Sequence, residues 1–166
     1  MIERPSPSPT LAIIWHSRTG ASKAMAQAVA KGAGECGLLR RADDVTLDEV
    51  KAAAGFVFLC PENLASMSGL MKEMFDSLYY PLLGKIEGRP YASIIAAGSD
   101  GTGAQAQLDR IAKGWRLKRV AEEMIVNFDA QTPEAILDKK HVPENVIKKC
   151  RDLGAGLAEG MRSGIF

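Results

Sequence analysis

The sequence predicts a three-layer α/β/α sandwich built on a five-stranded parallel sheet in the order 2-1-3-4-5. Three observations carry that expectation. Three short runs, Leu11–Trp15, Phe56–Cys60 and Tyr91–Ala97, are apolar almost throughout, as strands are when helices cover both faces of their sheet. Segments with helical periodicity alternate with them. One further strand candidate, Leu38–Val45, is polar enough to belong at an edge. That edge position favours the order in which the first strand lies beside the second and third.

Taken in order, residues 1–9 contain the alternation Pro5-Ser6-Pro7-Ser8-Pro9. Such a stretch cannot bury apolar surface, and a disordered tail is expected there. The first strand follows at Leu11. From Gly20 to Ala33, Met25, Val29 and Ala33 recur every four residues, opposite Lys23, Gln27 and Lys31; this is an amphipathic helix. Leu38–Val45 is the second strand and Phe56–Cys60 the third. Leu70–Leu82 is helical, with Met71, Met74, Phe75, Leu78 and Leu82 on one stripe. Tyr91–Ala97 is the fourth strand, and Ala104, Leu108, Ile111 and Trp115 mark the next helix. Leu117–Val120 and Met124–Phe128 form a last strand interrupted at Glu122-Glu123. A segment with one turn near Glu134–Leu137 leads to a final helix opening at Pro143, a residue favoured in a first turn. Its Val146, Cys150, Leu153, Leu157 and Met161 face inward. Right-handed crossovers place the first and last helices on one face and the two middle ones on the other. Residues 10–166 are expected to form a single domain.

Composition narrows the function. Twenty-one Lys+Arg against twenty Asp+Glu give a net charge of +1, without the basic excess that holds a nucleic-acid backbone. No apolar run approaches the roughly 20 residues of a membrane span. The first residues lack the apolar core of a signal peptide. Cys36, Cys60 and Cys150 are widely spaced and odd in number, which suggests neither a disulfide framework nor a zinc site. A cytoplasmic protein acting on a small molecule is the expectation, with no nucleic acid or membrane as partner and no metal.

In sheets of this kind ligands bind beyond the carboxyl ends of the strands, where the winding reverses. Three loops therefore matter. The first, His16-Ser17-Arg18-Thr19-Gly20-Ala21-Ser22, sets three hydroxyls and a glycine where a strand enters a helix. Free N–H groups there, with the helix dipole behind them, bind anions; the plain alternative is that Thr19 or Ser22 only caps the helix. The spacing matches neither a dinucleotide fingerprint nor a nucleoside-triphosphate loop. The second, Pro61–Gly69, is long for a strand-to-helix connection and offers amide groups beside Leu64 and Met67. The third, Gly98-Ser99-Asp100-Gly101-Thr102-Gly103, has three glycines that let a backbone approach a ligand.

These loops resemble those of the flavodoxin-like superfamily, in particular NAD(P)H-dependent FMN reductases and quinone reductase-type flavoproteins. Ser17-Arg18-Thr19-Gly20-Ala21-Ser22 is similar to that superfamily's phosphate signature. Pro61-Glu62-Asn63, running into Met71-Lys72-Glu73-Met74-Phe75-Asp76, resembles the flavin-edge segment of the FMN reductases, without the tyrosine usual between Glu and Asn. The resemblance implies bound FMN, with its phosphate on Ser17, Arg18, Thr19, Gly20, Ala21 and Ser22. It also implies a ring between Pro61, Glu62, Asn63 and Leu64 on one side and Gly98, Ser99, Asp100, Gly101 and Gly103 on the other. NAD(P)H is the implied co-substrate, and a quinone or similar small molecule the implied acceptor. The alternative is a flavodoxin-type electron carrier between protein partners. Two features favour the reductase: neither ring loop holds an aromatic residue, and the chain lacks the strong acidity such carriers use for steering. No residue is expected to act as catalytic acid or base, and Cys60 is expected to be a buried structural thiol. A homodimer or homotetramer is also implied, with Tyr79-Tyr80-Pro81 as a candidate contact.

Overall fold

The computed structural model describes residues 7–166, so most of the expected tail, residues 1–6, lies outside the described residues. Strand β1 (Leu11–Trp15) leads to α1 (Ala21–Ala33), β2 (Gly37–Arg41), α2 (Leu47–Ala52) and β3 (Gly55–Asn63). A two-residue β4 (Ser66–Met67) precedes α3 (Gly69–Leu82), β5 (Pro90–Ala97) and α4 (Thr102–Gly114). The chain ends with β6 (Lys118–Arg119), β7 (Met124–Asn127), α5 (Pro133–Leu137) and α6 (Glu144–Arg162).

The parallel sheet runs β2-β1-β3-β5, with β6 and then β7 on the outer edge of β5. The expected order is therefore present, but in seven segments rather than five. The fifth strand is broken in two around Glu122-Glu123, and β4 is an antiparallel addition to β3. Two local corrections accompany this. The edge strand ends at Arg41 rather than Val45, and α2 follows it. Thr46 and Glu49 form a reciprocal capping box at the start of α2, a signal legible as Thr-x-x-Glu.

Alternation along the central strands divides the core. Ala12, Ile14, Phe56 and Phe58 face α3 and α4; Leu11, Ile13, Val57 and Leu59 face α1 and α6. The first face is aromatic: the Phe58 and Phe75 rings lie 4.9 Å apart, and Phe75 and Trp115 5.0 Å. The second is built from small and aliphatic residues, which lets α1 and α6 approach closely. A Cβ on Gly154 would lie 2.0 Å from the Val29 carbonyl oxygen, and one on Gly32 1.9 Å from that of Arg151.

A polar cluster ties β5 to α4 and β6. The Tyr91 hydroxyl donates to Asp109 at 2.9 Å, Gln105 donates to the other carboxylate oxygen at 3.2 Å, and Arg119 pairs with Asp109. Burial pushes the Asp109 carboxyl up, but the hydrogen bonds from Arg119, Gln105 and Tyr91 outweigh it and hold the group below its ordinary value. A carboxyl depressed by folding stabilises the native state above its unfolded pKa, and that contribution fades as pH falls through the folded one. We therefore expect melting temperature to fall as pH drops below about 4, and Asp109→Asn to be less stable at pH 7 with a flatter acid limb. Thermal melts across pH 2–7 check this; parallel acid limbs for both proteins would reject it.

Candidate functional site

The site lies where β1, β3 and β5 end. Beyond Trp15 the His16 amide donates to the Leu59 carbonyl at 3.0 Å, and its Nδ1 lies 2.8 Å from the Ser68 hydroxyl. Burial, then the charges of Arg18 and Arg41, lower the His16 pKa, so the imidazole is neutral at pH 7. It holds the first loop against the base of α3. The Ser17 hydroxyl accepts from the Gly20 amide at 3.0 Å. Gly20 takes φ +97°, and no side chain caps α1. The plain capping alternative for Thr19 and Ser22 therefore does not describe this helix. Ser22 is buried, and its hydroxyl has no hydrogen-bond partner. A lone buried hydroxyl costs on the order of 1–3 kcal/mol, and this one sits in the first turn of an uncapped helix beside a cleft.

The second loop is not a long connection. Strand β3 runs past the sheet to Asn63 and folds back as β4, pairing Glu62 with Met67 and Asn63 with Ser66. Leu64 and Ala65 make the turn at φ 52° and 60°, both in the left-handed region that two-residue hairpins require. The hairpin is fastened to α4 twice. The Met67 amide and the Ser66 hydroxyl donate to Gln107 at 2.7 and 2.8 Å. The Glu62 carboxylate accepts from the Gly101 and Ala104 amides at 2.8 and 3.0 Å. Glu62 thus caps α4, an anion placed on a helix N-terminus. The implied ring-edge role leaves to it the backbone rather than the carboxylate. Leu64, also assigned to the ring edge, is wholly exposed at the turn and does not line the cleft.

The glycine-rich loop is likewise occupied by protein packing. Asp100 accepts from the Thr102 amide and hydroxyl at 3.2 and 2.8 Å. A Cβ on Gly101 would meet Ile125 at 2.4 Å, and one on Gly103 the Ala65 carbonyl oxygen at 2.3 Å. Of this loop only Gly98 lines the cleft; Ser99, Asp100, Gly101 and Gly103 do not.

What remains is an open cleft at the carboxyl edge of the sheet. Ser17, Arg18, Thr19, Ala21 and Ser22 form one end, while Gly20 lies behind it; Pro61, Glu62 and Asn63 form a side. The other wall escaped sequence reasoning. It consists of Phe128 and Ala130 after β7, Ile136 and Leu137 of α5, and Lys140. The Phe128 and Ala130 amides donate hydrogen bonds to the Ala97 and Gly98 carbonyls, both at 2.8 Å. Lys140 donates its amide to the Thr19 carbonyl at 2.9 Å, and its Nζ to the Ala135, Ile136 and Asp138 carbonyls. The Thr132-Pro133 pair was a readable helix start, but no sequence signal tied that helix to Thr19. Cys60, at the foot of the cleft, is buried, and burial pushes its thiol up to about 12; it is not a redox thiolate.

A cleft with hydroxyls and free N–H groups at one end and apolar walls beyond suits a flat ligand with a phosphate tail. The unpartnered Ser22 hydroxyl fits the phosphate of FMN. Among solved structures, a flavodoxin from the domain Archaea superposes with a TM-score of 0.74 at 18% identity, over 92% of this chain and 98% of that one. The flavodoxin, WrbA-like protein from Agrobacterium tumefaciens gives 0.76 at 19%, over 94% and 99%. A flavone reductase gives 0.72 at 17%, over 95% and 64%. At such identities these likenesses establish the flavodoxin-like fold. A flavodoxin of Aquifex aeolicus (strain VF5) is 34% identical over 95 residues, 55% of this chain and 51% of that protein. The match spans about half the length of that curated relative. The model of the NADPH-dependent FMN reductase family matches residues 44–131, from the turn before α2 through the hairpin, the glycine loop and β7. Since that match takes in just over half of the 166 residues, the chain belongs to the NADPH-dependent FMN reductase family, whose members are flavodoxin-like FMN-binding oxidoreductases.

Proposed function

We propose that this protein is a cytoplasmic NAD(P)H-dependent reductase that uses bound FMN to pass electrons to a quinone or similar small acceptor, with residues 10–166 working as one unit. The observation that carries the reading is the buried, unpartnered Ser22 hydroxyl beside an uncapped helix start. In this reading Ser17, Thr19, Ser22 and the Ala21 and Ser22 amides hold the phosphate, Gly20 makes the turn that presents them, and Arg18 covers it from solvent. Pro61, Glu62 and Asn63 present backbone and amide groups to the ring edge, and Gly98 lies on the opposite side. When bound, FMN supplies the redox centre that no side chain here provides. The chain's own work is to orient that group, exclude water with Phe128, Ile136 and Leu137, and leave one face open.

A carrier without turnover of its own is the second reading, and two features favour the reductase over it. The net charge is +1, and Pro61–Gly69 and Gly98–Gly103 hold no aromatic residue. Homo-oligomerisation belongs to the same proposal: Tyr80 is 79% and Leu83 51% exposed at the end of α3, and aromatic residues are enriched at interfaces. An absorption titration with FMN, followed by anaerobic NADPH or NADH, is the test. Rapid bleaching by a nicotinamide supports the reductase; bleaching only through a partner reductase makes the protein a carrier. Failure to bind FMN would remove both readings.

A further inference from the structure

Two sides of the cleft are joined through one side chain that does not itself line it. His16 is half-buried and directly precedes Ser17 of the first loop. Its Nδ1 lies 2.8 Å from the Ser68 hydroxyl. Ser68 is the N-cap residue of α3 and fully buried, yet its hydroxyl makes no cap bond to that helix. The Ser68 amide donates to the Pro61 carbonyl at 3.2 Å, at the root of the hairpin. One imidazole–hydroxyl bond therefore ties the first loop to the Pro61–Asn63 side of the cleft.

The partner is chemically apt. A hydroxyl donates to a neutral imidazole nitrogen and accepts from a protonated one, so His16 can change charge without losing this bond. When the hydroxyl accepts, its own hydrogen is free to turn to the Cys60 sulfur, which lies against Ser68. That thiol stays protonated and adds no charge. The charged groups facing His16 are Arg18 on its own loop, and Arg41 and Asp43 beside it at the end of β2. Arg41 and Asp43 bind each other at 2.9 and 3.0 Å and largely cancel. Arg18 enters no ion pair among the described residues. Burial, then Arg18 and Arg41, hold the imidazole neutral against the pull of Asp43. A phosphate dianion on the first loop offsets Arg18 and favours the imidazolium. The bond from an imidazolium to Ser68 is charge-assisted, and so stronger.

We propose that His16 is a positioning residue that takes up a proton when the FMN phosphate settles on the first loop, and so clamps that loop to the start of α3. The inference rests on the reading that FMN binds with its phosphate there. Its sign is fixed by linkage: a group that gains a proton on binding strengthens binding as pH falls. The gain begins at the titration midpoint of the FMN-bound protein and is complete below that of the free protein.

The chain has two histidines, and His141 is exposed, so His141→Gln leaves His16 as the one imidazole to follow by NMR. Its titration is measured without ligand, with FMN, and with riboflavin, which lacks the phosphate. The His16 midpoint should rise by about half a pH unit or more with FMN and stay in place with riboflavin. In His16→Asn the side-chain oxygen still accepts from Ser68 but does not titrate. FMN should bind this variant and the unaltered protein about equally at pH 8. At pH 5 the unaltered protein should bind FMN about three- to ten-fold more tightly than the variant. The phosphate's own titration at about pH 6 is common to both and drops out of that ratio. A His16 midpoint unmoved in protein that binds FMN overturns the proposal and leaves the FMN reading standing. So does a midpoint raised equally by riboflavin, or an affinity ratio flat with pH. Failure to bind FMN at any pH is the separate outcome that removes the FMN reading, and the proposal with it.

Discussion

Replacing Ser22 by alanine should make the FMN-free protein more stable and its hold on FMN weaker, two effects of opposite sign from one oxygen atom. The hydroxyl is buried without a partner, so its removal relieves an unmet desolvation cost. A gain of about 1 kcal/mol follows for the FMN-free protein. With a phosphate on the first loop, the same hydroxyl becomes a charge-assisted donor. Such a bond contributes roughly 1.5–3 kcal/mol, so FMN affinity should fall about 10- to 100-fold. Urea unfolding of the FMN-free protein and fluorescence titration with FMN give the two numbers. An unchanged FMN affinity would mean that Ser22 does not face the phosphate. A loss of stability would mean that it has a partner within the protein.

Gly154→Ala should destabilise the fold by about 3 kcal/mol, at the upper end of the usual cost of overpacking. The added carbon would stand 2.0 Å from the Val29 carbonyl oxygen and 3.0 Å from the Ala33 nitrogen. Both are backbone atoms, which no rotamer change can move aside. Relief requires α1 and α6 to separate, and α1 carries the phosphate loop at its start, so FMN binding should weaken as well. Gly156, two residues on in the same helix, is exposed and meets nothing within 4 Å. Alanine there should add roughly 0.5–1 kcal/mol through helix propensity alone. Denaturant melts of the two variants separate the effects by sign. If both shift the midpoint in one direction, the close approach of α1 and α6 is not the controlling contact.

The legible part of the fold is the part governed by local composition. β1, β3 and β5 are buried on both faces, so their apolar runs stand out, and the amphipathic helices between them fix the alternation. The edge is less legible. Leu38–Val45 contained both β2 and the turn into α2, because a strand of five residues and a helix of six leave little periodicity to detect. The hairpin escaped for a different reason. Leu64-Ala65 lacks the Asn or Gly that usually marks a two-residue turn; contacts from Gln107 and Glu62 hold it instead.

For the site, apolar runs and their alternation with helices are enough to give the strand order, and hence that three particular loops meet at the sheet's carboxyl edge. The sequence also singles out the hydroxyl-rich loop as the expected phosphate end. What each group in those loops does depends on packing between distant elements. Glu62 is drawn onto the start of α4, Gly101 and Gly103 make room for Ile125 and Ala65, and among the described residues the buried Ser22 hydroxyl is left without a partner. The wall from Phe128 to Lys140 is brought to Thr19 across more than a hundred residues. Periodicity and spacing report which face of its own element a residue occupies. Which atom satisfies a buried donor depends on chain segments distant in sequence, and that is settled only when the elements pack.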